Sequence, residues 1–164
     1  MKRKLTITHP FWQVLGIGAL AGLRSASAPA ITSHILSHHH SKRLEGTQLD
    51  FMQSKTVTNV LMLLALGEVV MDKMPFTPNR IKPAGVAFRC LSGVLAGASI
   101  SKATGGKIGA GALFGAASAL ASTYISFIVR KSTVKATGII DPIIGGLEDA
   151  LVFGAGTTLI RIDQ

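Results

Sequence analysis

Arg24 sits inside an apolar run between Phe11 and Leu36, where an isolated charge in the middle of a bilayer costs about 2.5 to 3.5 kcal/mol. Such a residue calls for a counter-charge. Glu68, Asp72, Glu148 and Asp149 are the carboxylates on or beside other apolar runs. Two chemistries follow: a neutralised ion-pair core, or a site that receives an ion or polar solute. Glu68 and Asp72 stand four residues apart, so a helix puts both on one face, a spacing suited to a hard cation or to proton relay. Asp72 and Lys73 just before Pro75 also fit a helix meeting water. Glu148 and Asp149 are adjacent, about 100° apart on a helix. Gly145, Gly146, Gly154 and Gly156 flank them, which permits close approach or unwinding around an ion. His34 and His38 are one turn apart and suited to sharing Zn²⁺ or Ni²⁺. With no third ligand fixed by spacing, a solvated histidine-rich loop through His39 and His40 is the competing reading.

Enzyme signatures are missing from the chain: there is no GxSxG, HExxH, P-loop or dinucleotide fingerprint. Gly105, Gly106 and Lys107 lack the Walker spacing and read as a turn. An enzyme acting on lipid therefore ranks third, behind a transporter or channel and a membrane scaffold, and no cofactor is expected. Cys90, the single cysteine, has no disulfide partner and reads as a small packing residue.

These residues need elements to position them, and composition names the class. Of 164 residues, 48% are hydrophobic and 15% charged, with mean hydropathy +0.44. Aromatics are only 5% while glycine numbers 18, the balance expected of helices whose backbones approach closely in lipid. Five apolar segments stand out: 11–36, 56–74, 84–101, 108–129 and 142–160. Only the fourth offers the roughly 20 uncharged residues of a full span. The reading is an all-α membrane protein of about five short, glycine-rich transmembrane helices, some broken. Residues 1–9 form a basic N-terminal segment and 10–161 one helical membrane domain. The first run is read as a retained span, not a cleaved signal.

The net charge of +9 comes from 17 Lys and Arg against 8 Asp and Glu. The basic residues fall between apolar runs with no continuous stripe, so they fit lipid headgroups and exclude nucleic acid as a partner. With five spans, ten basic residues fall on the side of the N-terminus and six on the other. That bias predicts a cytoplasmic N-terminus and an outward C-terminus.

Gly18 and Gly22, Gly93 and Gly97, and Gly111 and Gly115 are three GxxxG pairs, each expected to pack a helix closely against a neighbour, with a homo-oligomeric interface as a further use. Residues 16–35 and 109–128 match without gaps at ten of twenty positions. Shared small-residue bias explains part of this. As a true repeat with three spans between copies, it predicts an inverted pair.

Taken together, Gly22-Leu23-Arg24-Ser25 with Pro29, Gly67-Glu68, Asp72-Lys73-Met74-Pro75, Pro78-Asn79-Arg80, Arg89 and Leu147-Glu148-Asp149-Ala150 resemble the motif set of domain of unknown function 4126. That resemblance covers about 10–160 and implies a small multi-pass protein of the bacterial inner membrane. Its charged motif positions are Arg24, Glu68, Asp72, Arg80, Arg89, Glu148 and Asp149, and it supplies no substrate.

Overall fold

The computed structural model describes residues 10–71, 82–137, 150 and 154. The longer elements among them are all helical: α1 (Pro10–Leu23), α2 (Ser27–His38), α3 (Lys55–Met71), α4 (Pro83–Thr104) and α5 (Ile108–Thr137), with a 3-10 turn at Asp50–Gln53. Two of them, α4 and α5, are long and apolar enough to cross a membrane.

The α4–α5 hairpin is the frame. Pro83 opens α4, where its missing N–H costs nothing, and Gly105 closes it in the left-handed conformation (φ 90°). Glycine is needed there because a side chain at that φ is strained. The Gly106 N–H then reaches back to the Ser101 carbonyl at 2.7 Å, and α5 returns antiparallel along α4.

The direction of the other helices is fixed by their contacts. Phe11 packs edge-on against Phe114. Ser118 Oγ donates to the Leu15 carbonyl at 2.7 Å and Ser122 Oγ to the Ala19 carbonyl at 2.8 Å. The pairs ascend together, so α1 runs parallel to α5. Ser25 meets Ser92 and Ser41 meets Ala103, so α2 runs parallel to α4 and thus opposite to α1. Glu68 bonds Ser25 and Ala26 while Thr58 bonds Ser33, so α3 descends antiparallel to α2.

This corrects the expectation of a single first span over residues 11–36. The run folds back on itself at 24–26 into two arms of about 21 and 18 Å at 1.5 Å per residue. Neither arm has the ~30 Å needed to cross a bilayer. The two copies of the suspected repeat also run in the same sense in their first halves, the first interrupted and the second continuous inside α5, which is not an inverted pair. Val14, Ile17, Leu20, Ala21 and Ala28 of the hairpin bury against Ala96, Ile100 and Ala119. A second cluster joins Leu36 and Ala103 to Leu44 and Met52.

Candidate functional site

The fold-back follows from Pro29. In a continuous helix the residue-29 N–H would bond the Ser25 carbonyl; proline has no such N–H and its ring presses on that carbonyl. Breaking at 24–26 moves Pro29 into the first turn of α2, where no donor is required. The break leaves backbone groups to satisfy deep in the protein, and three other helices supply the partners.

From α3, the Glu68 carboxylate closes the N-terminus of α2. Its Oε1 accepts the Ser25 N–H at 2.8 Å and the Ser25 hydroxyl at 2.7 Å, and its Oε2 accepts the Ala26 N–H at 2.7 Å. Helix α2 has no side-chain cap of its own, so a carboxylate from another helix does that work, where the helix dipole favours negative charge. From α4, Ser92 Oγ donates to the Ser25 carbonyl, the acceptor that Pro29 leaves vacant. From α5, Thr123 Oγ1 shares its one proton between the Ala119 carbonyl of its own helix at 2.7 Å and the Gly22 carbonyl at 3.0 Å, the latter one of the carbonyls left over at the end of α1. Glu68 and Ser92 thus pin the three-residue turn, and Thr123 the end of α1 that leads into it.

Arg24, within that turn, is only 2% exposed, and Arg89, three residues before Ser92 on α4, is 8% exposed. The structure therefore brings Glu68 to the turn that contains Arg24, and buries Arg89 one helical turn before Ser92. Asp72, Glu148 and Asp149 lie outside the described residues.

The glycines set how closely these helices approach. A Cβ on Gly18 would stand 2.7 Å from the Gly115 carbonyl oxygen, and one on Gly22 would collide with Ser122 Oγ and the Ala119 carbonyl. Gly93 and Gly97 on α4 face Gly115 and Gly111 on α5 with the same backbone contact. These approaches bring the hydroxyls of Ser118, Ser122 and Thr123 within reach of the carbonyls of α1.

His34 and His38 lie together at the far end of α2, ring centroids 4.4 Å apart, with His38 Nδ1 2.9 Å from the His34 carbonyl oxygen. Burial, and secondarily the neighbouring His38, holds the His34 imidazole below its usual range. Among the described residues no third His, Cys, Asp or Glu joins them in a metal-sized cluster.

The connection that follows departs from the solvated loop anticipated for the histidines. His39, Ser41, Leu44, Met52 and Gln53 are buried. Gln53 Oε1 accepts from His40 Nδ1 at 2.5 Å and from the Ser41 N–H at 2.7 Å, while its Nε2 donates to Asp50 at 2.8 Å. Ser41 and Arg43 hydrogen-bond the Ala103 and Thr104 carbonyls, closing this end over α4.

Sequence reasoning singled out Arg24 and Glu68 as pathway candidates and did not single out Ser25, Ser92 and Thr123, whose hydroxyls complete the turn. The signal lay in Pro29, four residues after Ser25. Chemically, the arrangement is a carboxylate holding a broken helix through donors alone. Among known families, the model of one described as Domain of unknown function (DUF4126) matches residues 12–162. No curated protein and no solved structure matches the chain.

Proposed function

The chain belongs to the DUF4126 family, and from that premise we propose a small multi-pass membrane protein that passes a cation, proton or small polar solute along its broken hairpin. One observation carries the reading. Lys82 and Lys102 bracket α4 about 30 Å apart at 1.5 Å per residue, the thickness of a hydrocarbon core. Ser92, which holds the turn, is midway between them. The 24–26 turn then sits at the bilayer midplane. Non-helical backbone at that depth is tolerated only inside protein or along a polar path, and transporters place their sites at such breaks.

Outward-facing side chains support the lipid setting. Leu63, Leu66, Val70 and Met71 on α3, Phe88 and Leu91 on α4, and Leu113 and Ile125 on α5 are each more than half exposed. In water that much apolar surface is an aggregation liability, and in lipid it costs nothing. The start of α1 and the loop after α2 lie at the same end of the bundle, so the hairpin enters and leaves the membrane on one side. The tally that put them on opposite faces loses its basis. Lys42, Arg43, Lys55, Lys102 and Lys107 lie at that end and Lys82, Arg130, Lys131 and Lys135 toward the other, so the described residues carry little charge bias between the two faces.

A second reading, a non-transporting scaffold or partner subunit, is favoured by one fact: both Glu68 oxygens already accept hydrogen bonds. Flux in proteoliposomes separates the two. The transport reading expects proton or cation flux above protein-free vesicles, changed at least tenfold by Glu68→Gln. Flux equal to empty vesicles across a panel of ions and small solutes would leave the scaffold.

A further inference from the structure

We infer that Glu68 is a proton-operated latch: the ionised carboxylate holds the hairpin turn shut at mid-depth, and a proton arriving on it releases the turn. The inference deepens the proposed function by naming the proton as the species that operates the site, and it rests on the membrane reading given there.

The argument is one of donors and acceptors. Glu68 receives three hydrogen bonds, from the Ser25 N–H, the Ser25 hydroxyl and the Ala26 N–H, at 2.7 to 2.8 Å. Both backbone partners can only donate. An ionised carboxylate is a pure acceptor and satisfies all three, whereas the protonated acid carries an O–H of its own on one oxygen. The Oε2 side offers only the Ala26 N–H; a proton there sets donor against donor. On the Oε1 side a proton displaces the Ser25 N–H or forces the hydroxyl to turn. Protonation therefore either displaces a backbone N–H or reverses the bond to the Ser25 hydroxyl, and every bond that remains loses its charge assistance.

The rest of the turn is built to let go in one direction. Ser92 and Thr123 hold the carbonyls of Ser25 and Gly22, the acceptor side, and do not touch the Ser25 and Ala26 N–H groups. Glu68 is the sole holder of the donor side among the described residues. The turn itself carries Arg24, and α4 carries Arg89 three residues before Ser92, both buried. On α1 and on α5 between Gly115 and Thr123 there is no Asp, Glu, His or Lys. No second carboxylate of those elements can take over the cap when Glu68 is neutral. The N–H groups of a released turn are the donors a water column or an entering polar solute would meet.

The test reads those two N–H groups directly. The intact protein is reconstituted in nanodiscs, and hydrogen–deuterium exchange of the peptide covering 24–30 is followed at pH 8 and pH 4, with rates corrected for the intrinsic pH dependence. The latch expects protection of Ser25 and Ala26 to fall at least tenfold from pH 8 to pH 4, while the α4–α5 seam at Gly97 and Gly111 stays protected. Glu68→Gln, which keeps a hydrogen-bonding side chain without charge, should be weakly protected at both pH values. Ser92→Ala should keep the pH response, because it cuts only the acceptor side. Constant protection in the parent across the pH range overturns the inference, and so does Glu68→Gln protected as well as the parent at pH 8. If Glu68→Gln does not fold, the parent's own pH series decides. A pH-dependent turn in a protein that carries no flux retains the latch and discards transport; flux with a pH-indifferent turn does the reverse.

Discussion

Replacing Gly115 by alanine should separate the α4–α5 hairpin, and the structure sets the size of the effect. A Cβ there would stand 3.0 Å from the Gly93 carbonyl carbon and 3.2 Å from the Gly97 Cα, and closer still to the Gly93 carbonyl oxygen. All three are backbone atoms of α4, so no side chain can swing aside. The helices must move apart by roughly 1 Å, and a gap of that size forfeits a quarter to a half of each dispersion contact along the seam. Overpacking of this kind costs about 1 to 3 kcal/mol, and the rigid partners argue for about 3. For a chain of this length that is a loss of roughly 6 to 12 °C in melting temperature. Gly67→Ala is the control, because a Cβ there meets nothing within 4 Å. It removes a flexible residue from a helix, with a gain of about 0.5 to 1 kcal/mol. Thermal unfolding in one mild detergent, followed by circular dichroism, should rank Gly67→Ala at or above the parent and Gly115→Ala well below. Equal melting of the two variants would refute the close-approach reasoning.

Three other outcomes are expected. Thr123→Val keeps the volume but removes the bond to the Gly22 carbonyl, and should cost about 0.6 kcal/mol, the usual worth of an interhelical hydrogen bond in lipid; chemical unfolding in detergent reads it. Leu44→Ala in the loop after α2 should cost about 2 to 5 kcal/mol, since its side chain is fully buried; a loss under half a kcal/mol would mean a solvated loop. In a Cys90→Ala background, Glu45→Cys and Lys55→Cys should react with an impermeant maleimide from the same side of oriented vesicles as a tag placed before Pro10, and Arg130→Cys from the other; labelling of Glu45→Cys opposite to the tag would refute the hairpin.

The helices themselves were legible from residue pattern. Small-residue composition and three GxxxG pairs pointed to closely packed spans, and α4 and α5 fall close to the third and fourth apolar runs. The first run misled because hydropathy has no direction: an apolar stretch of spanning length reads the same whether it crosses or returns. Pro29 held the needed information, but its effect depends on which partners take the groups it frees. Those partners, Glu68, Ser92 and Thr123, come from 42 to 101 residues away. No local spacing reports such pairings. The loop after α2 misled for a related reason, since His40, Ser41 and Arg43 are held by Gln53 and by the end of α4.

The pinned turn also bears on how the chain is assembled. Residues 10–38 leave the ribosome before α4 and α5 are made, yet two of the three groups that satisfy their exposed backbone, Ser92 and Thr123, belong to those later helices. Bare N–H and C=O groups in hydrocarbon cost several kcal/mol each. If the bundle sits in lipid as proposed, the hairpin has no stable resting place in the membrane during early synthesis and waits at the interface. It settles into the bundle only once the later pair of helices has formed its socket.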